Sequence, residues 1–261
     1  MIAKQKKGQM TIFIIIGILI VVGILLFFFL RQGIPKETSS SLEENPESFL
    51  GFCLNNKIRE AITELSVRGG YIDKGISKEF RFTNEPTRNI TYLCYNKNGY
   101  LPCINQKPTF MEDLKSEIKE YISKDVKDCF DGLESSLKRD GHEVELEYTD
   151  FEVDIIPGKV IVQTDSNLIF TKSGSTVDSE DFKIEVLSKL YRISLFTQEI
   201  VNQEARYCFA EINGISLIYP EFLIDKTKLD DLSNIYRIEH QESKEKFVFA
   251  VRSCAIAPGV N

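Results

Sequence analysis

Between Thr11 and Leu30 the chain carries no charge, and apart from Thr11, Gly17 and Gly23 it is built only of Ile, Leu, Val and Phe. At a rise of about 1.5 Å per residue, a helix of roughly 20 such residues spans the ~30 Å hydrocarbon core of a bilayer. No other stretch restricts the chain as much, because so much apolar surface has few stable states in water. The expectation is one transmembrane helix over 11–30, favoured by on the order of 5 to 10 kcal/mol. A cleaved secretory signal has a shorter apolar core, about 7 to 15 residues, and then small residues. Here Phe27, Phe28, Phe29 and Leu30 end the run, which predicts retention. Lys4, Lys6 and Lys7 precede it and only Arg31 and Lys36 closely follow it. The excess of cations on the first side predicts a cytoplasmic tail over 1–10, with everything after Arg31 outside the cell.

The residues around this run resemble two known groups. Lys7-Gly8-Gln9 followed by an apolar stretch resembles the class III prepilin signal of archaea, in which a peptidase cuts between Gly and Gln. The resemblance implies processing between Gly8 and Gln9. It departs from the family at Phe13, where a Glu that helps to register filament subunits usually stands. The set Gly8–Gly17, Ser48–Leu54 and Gly69-Gly70-Tyr71-Ile72 is similar to uncharacterised single-pass surface proteins of small-genome DPANN archaea. That group also has a later helix of the Tyr121–Cys129 type, and the resemblance implies an archaeal surface location without a known activity.

All 39 acidic residues lie after residue 36, together with 27 of the 32 basic ones, which leaves that part at a formal −12. A nucleic-acid partner is disfavoured, because phosphate binding needs clustered cations. No D-x-[DN]-x-[DN]-G loop is present for calcium, so the acidity reads as solubility. The six cysteines also all lie after the apolar run, and an even number outside the cell reads as disulfides. Cys94 and Cys103 bracket Asn98-Gly99, whose turn chemistry brings them together. Placement on two apolar helix stripes pairs Cys53 with Cys129, and elimination pairs Cys208 with Cys254, each long loop adding ~3 to 5 kcal/mol if unstrained. No C-x-x-C occurs and neither histidine stands at ligand spacing from a cysteine, so no metal or cofactor is expected. Asn89-Ile90-Thr91 is a glycosylation sequon, with Asn89 as acceptor.

Residues 31–45 are polar and without an apolar period, as in a stalk. Asn45-Pro46-Glu47 opens a helix with a capping amide, a first-turn proline and an acid at the dipole. Its stripe of Leu50, Leu54, Ile58, Ile62 and Leu65 stops at Gly69-Gly70. Thr109 and Glu112 form a capping-box pattern ahead of a second stripe, Leu114, Ile118, Ile122, Cys129 and Leu133. From 142 to 172 the period becomes two. Val144, Leu146 and Tyr148 alternate in one phase and Phe151, Val153 and Ile155 in the other, which predicts a bulge or break at Thr149-Asp150. Pro157-Gly158 turns the chain into Val160, as in an antiparallel meander. A third helix is read from Lys183 to Arg206, although Phe182, Ile184 and Val186 also suit a strand. Asn213-Gly214 is a helix end or a hairpin turn, and Ile235–His240 and Phe247–Ser253 are two strands. The fold class is α+β: a transmembrane helix, then one disulfide-braced outer domain over 46–261 with about three helices and antiparallel strands.

Catalytic patterns are weak. His142-Glu143 begins a zinc-protease motif, but Leu146 stands where its second His belongs. Ser173-Gly174-Ser175 lacks the G-x-S-x-G frame, and Pro157-Gly158-Lys159 lacks the phosphate-loop glycine and hydroxyl. Glu143, Glu145 and Glu147 alternate onto one polar face, where like charges are solvated. The expectation is a non-enzymatic surface protein, anchored or pilin-like, serving envelope structure, adhesion or partner binding, with the bilayer through 11–30 and other envelope or filament subunits as partners. The alternative is an anchored extracellular hydrolase whose site is assembled from distant residues.

Overall fold

The structure is a computed structural model that describes residues 15, 17, 20–22, 45–72 and 75–254. Residues Pro46 onward form one compact unit. Among the described residues it holds four helices, α1 (Pro46–Ser66), α2 (Phe110–Arg139), α3 (Leu190–Tyr207) and α4 (Ile212–Ile218). The strands are β1 (Ser77–Phe80), β2 (Arg88–Tyr95), β3 (Ile104–Asn105), β4 (Glu143–Ile156), β5 (Lys159–Lys172), β6 (Ser175–Glu180), β7 (Lys183–Leu187), β8 (Phe222–Lys228), β9 (Ser233–His240) and β10 (Lys246–Arg252).

Two sheets result. In the first, the order is β1-β2-β10-β9-β8, with β3 also on β2; in the second, β4 flanks β5 on one side while β6 and β7 share its other side. The second sheet forms from one long hairpin, because Pro157-Gly158 closes Ile156 onto Lys159. Its register slips between Tyr148 and Asp150, so Thr149 is the extra residue that moves the apolar phase from even to odd positions. Phe151, Val153 and Ile155 beyond the bulge are fully buried, and Glu143, Glu145 and Glu147 before it face water.

Helices α1 and α2 bury the two stripes against each other, with Leu50, Leu54, Ile58, Leu114, Ile118 and Ile122 at 0 % exposure. Each such side chain contributes about 1.5 to 3 kcal/mol. The chain leaves α1 through Gly70 at φ +87, a left-handed conformation that favours glycine, and a Cβ there would also stand 2.7 Å from the Leu114 Cδ2 methyl. Bridges join Cys53 to Cys129, Cys94 to Cys103 and Cys208 to Cys254, the same pairs drawn from the sequence. Helix α2 then rests on β4, α1 on β7, and α3 touches strands of both sheets. The main apolar core runs through all of these, and a smaller cluster around Ile90, Tyr92, Ile235, Val248 and Ala250 covers the far face of the first sheet.

Several expectations are corrected. Among the described residues no helix is long and apolar enough to cross a membrane, against the expected transmembrane helix over 11–30. Of 11–30 the structure describes only Ile15, Gly17, Ile20, Val21 and Val22, which are helical and exposed; the remainder of that stretch, the 1–10 tail, the stalk before Asn45, and Gly8 and Gln9 lie outside the described residues. The sheets are not wholly antiparallel, because β10 runs parallel to β2. Thr109 makes no capping bond: its hydroxyl donates to Asp113 Oδ1 at 3.1 Å, and that carboxylate also accepts the Tyr71 hydroxyl at 2.7 Å. Residues 183–187 take the strand alternative, and the third helix begins only at Leu190. Asn213 and Gly214 are neither helix end nor hairpin, since both lie inside α4.

Candidate functional site: a groove between α3 and α4

Helix α3 is amphipathic with two different faces. Leu190, Ile193, Ser194, Thr197, Ile200, Val201 and Glu204 are buried between the sheets, at the three-and-four spacing of a helix stripe. The adjacent face carries Arg192, Leu195, Phe196, Glu199 and Gln203 toward α4, and with Ile215, Ile218, Tyr219 and Phe222 these residues line a groove of about 300 Å³. Its floor is aromatic. Phe196 stacks on Phe222 at 5.2 Å between ring centroids and meets Tyr219 edge-on at 5.3 Å. The Arg192 guanidinium lies 5.9 Å from the Phe222 ring and pairs with Glu221 at the mouth.

Helix α4 is held in place by polar contacts at its start. Gln203 Oε1 accepts the Glu211 backbone N–H at 2.9 Å, and Ile215 N–H donates to the Glu211 carbonyl. Only Ile215 of this helix is buried. Ile218 is 69 % exposed and Leu195 52 %, so the groove is edged by two aliphatic side chains that contact water, beside the polar Arg192, Glu199 and Gln203. Scattered exposed leucines are ordinary; here two exposed aliphatic side chains stand at the edge of a concave aromatic floor.

A second cleft lies at the other end of α3, about 520 Å³ in volume and lined by Arg59, Thr63, Ser188, Lys189, Ser243 and Glu245. Ser243, on its wall, makes a Ser–His contact that resembles a nucleophile and base: Ser243 Oγ is 3.1 Å from His240 Nδ1. That nitrogen also accepts the Ser243 backbone N–H at 3.1 Å. An imidazole nitrogen has a single in-plane lone pair, and here the backbone engages it, so this pair lacks the geometry of a relay. Glu245 is turned away from His240; its carboxylate accepts Ser188 Oγ at 2.6 Å and Lys189 N–H at 2.9 Å. It therefore supplies an anion to the start of α3, where free N–H groups and the helix dipole favour one.

One buried charge pair stands under the first sheet. Glu204 is 0 % exposed; its Oε1 accepts Lys226 Nζ at 2.8 Å and the Tyr236 hydroxyl. Burial, then the neighbouring Glu204 carboxylate, raises the Tyr236 phenol well above its usual range, so it remains a donor. The sequence offered a signal for Glu204, a lone acid on an apolar helix stripe, which the reading passed over. Leu195 and Ile218 gave none, because exposure of an aliphatic residue depends on what the fold fails to cover.

The other candidates are dispersed. His142 packs edge-on against Phe170 at 5.3 Å, and Ser173-Gly174 is the tight turn between β5 and β6. Asn89 is exposed on β2, paired to Glu79, while Thr91 of the same sequon is buried. No group of His, Cys, Asp or Glu among the described residues is arranged to hold a metal. No protein-family model matches this chain, and no significant match is found among curated proteins or solved structures.

Proposed function

We propose that this chain is a non-enzymatic protein of the cell exterior, in which a disulfide-braced domain presents the α3–α4 groove to a partner of the envelope or filament. The observation that carries the reading is the aromatic floor edged by exposed Leu195 and Ile218. The oxidised state of all six cysteines supports an oxidising exterior, since such bridges are rare in reducing compartments. The charge-free hydropathy of residues 11–30 supports association with lipid, and Lys7-Gly8-Gln9 supports processing before Gln9. The test is saturable binding of the full-length protein to isolated envelopes, compared with Leu195→Asp/Ile218→Asp. Each carboxylate placed on the rim must be desolvated by the partner, so binding falls at least about 10-fold while the unfolding midpoint holds. Equal binding by the variant would sink the groove, and mass spectrometry showing a native terminus at Met1 or Ile2 would sink the processing.

A further inference from the structure

The bridge between Cys94 and Cys103 closes a loop whose apolar side chains point away from the fold. Tyr100 is 85 % exposed, Leu101 54 % and Ile104 67 %. This exposure belongs to a rigid loop. Asn96 Oδ1 accepts the Asn98 N–H at 2.9 Å, Asn98 Oδ1 accepts the Tyr100 N–H at 3.0 Å, and Asn96 Nδ2 donates to the Pro102 carbonyl at 2.8 Å. At its base the Asn96 N–H donates to the Arg252 carbonyl at 3.0 Å. Gly99 sits so close to Leu232 that a Cβ would come within 2.6 Å of it, which seats the loop on the β8–β9 turn. Two Asx turns, a bridge and a docked glycine thus hold a Tyr, a Leu and an Ile in water with little conformational freedom left to lose.

The loop itself carries no acid. From Pro86 to Met111 there is no acidic residue, and of the cations in that interval Lys97 stands on the loop, whereas Arg88 pairs with Glu85 at the far end of β2. At the loop's end of the parallel neighbour β10 stands Arg252, in register with Tyr95 and donating to its hydroxyl at 3.2 Å. On the β8–β9 turn Asp231 pairs with Lys78 at 2.6 Å, and its neighbour Asp230 is exposed. Lys97 is exposed beside Tyr100. An amphipathic phenol, two aliphatic side chains and an adjacent ammonium on a convex tip suit the boundary between acyl chains and anionic headgroups, where rings with one wet end settle. They do not suit a concave apolar pocket, which the ammonium would have to enter unpaired.

We propose that Asn96–Ile104 is a lipid-facing loop: Tyr100, Leu101 and Ile104 enter the interface of an anionic lipid surface while Lys97 meets its headgroups. This contact is separate from the groove and from residues 11–30. The chain contains no Trp, so Tyr100→Trp places a single indole reporter on the tip. Full-length Tyr100→Trp is mixed with vesicles of phosphatidylcholine alone, or with an equal part of phosphatidylglycerol, each carrying a doxyl-labelled lipid. Lys172→Trp, exposed at the end of β5, is the control for a site on another sheet. The Tyr100→Trp indole is expected to shift to the blue and be quenched, more strongly with phosphatidylglycerol, and Lys97→Glu in that background to weaken this dependence about fivefold. The Lys172→Trp indole stays at its aqueous emission. An unshifted, unquenched indole at position 100, quenching without dependence on the anionic lipid, or equal quenching at position 172 each overturns the proposal, even where residues 11–30 bring the chain to the vesicle.

Discussion

Replacing Lys226 by Met removes one half of a charge pair whose other half, Glu204, has no access to solvent. At 2.8 Å the attraction is about 6 kcal/mol for an effective dielectric near 20, and desolvation of the two ions offsets much of it. Removal of one partner is asymmetric, because the desolvation of Glu204 stays while the attraction goes. Glu204 Oε2 is already buried without a hydrogen-bond donor among the described residues, and Met would leave Tyr236 as the side-chain donor to this carboxylate. The expected loss is therefore about 3 to 5 kcal/mol. With a urea m-value of about 2.5 kcal/mol/M, that moves the midpoint down by roughly 1 to 2 M at constant m. The assay is equilibrium urea unfolding under oxidising conditions, followed by circular dichroism. A triple variant, Glu204→Leu/Lys226→Met/Tyr236→Phe, removes every polar member of the cluster and is expected within about 1 to 2 kcal/mol of the parent. A Lys226→Met midpoint within ~1 kcal/mol of the parent, or a triple variant as unstable as the single one, would refute the reasoning.

Two further outcomes follow from the electrostatics. Glu245→Gln takes the anion from the start of α3 and should cost about 1 to 2 kcal/mol in the same urea assay, with Lys189 N–H and Ser188 Oγ left on a neutral acceptor; an unchanged midpoint argues that the cap is ornamental. Lys119 holds the Asp150 carboxyl below its usual range, and Lys159 with Lys183 does so for Glu185; at Asp231 burial pushes upward, but Lys78 and Ser233 outweigh it. Because these folded values lie below the unfolded ones, the stability they add is present at neutral pH and is lost as pH falls through the folded values, below about 4. The pairs are exposed, so the loss is shallow, and a main decline between about pH 5 and 8 would contradict the assignment.

What the sequence disclosed was mostly local. The stripes of α1 and α2, the switch of phase at Thr149 and the turn at Pro157-Gly158 are periodic or steric signals that tertiary context did not override. Of the cysteine pairs, Cys94–Cys103 followed from the turn at Asn98-Gly99, Cys53–Cys129 from helix placement and Cys208–Cys254 from elimination. Strand β2 was missed because it lies between β10 and the β1–β3 side with both faces covered, so Ile90 to Cys94 form an unbroken buried run in place of an alternation. Strand β8 was missed because it is an edge strand with mixed exposure. Helix α4, only 7 residues long, carries Asn213-Gly214, and its hold on α3 through Gln203 outweighs their turn preference. The groove was therefore illegible, since it exists only where α4 stops short of covering α3.

The parallel pairing of β2 with β10 has a consequence for biogenesis. Strand β10 is inserted between β2 and β9, so the middle of the first sheet is supplied by the last described strand. A nascent chain extended through β9 has its flanks but not the strand that joins them, and β2, paired with β1 and β3, must wait with its other edge open for more than half the chain to arrive. Folding of this domain thus waits for β10 to emerge, and a chain truncated before Lys246 lacks the strand that joins the two flanks of the first sheet.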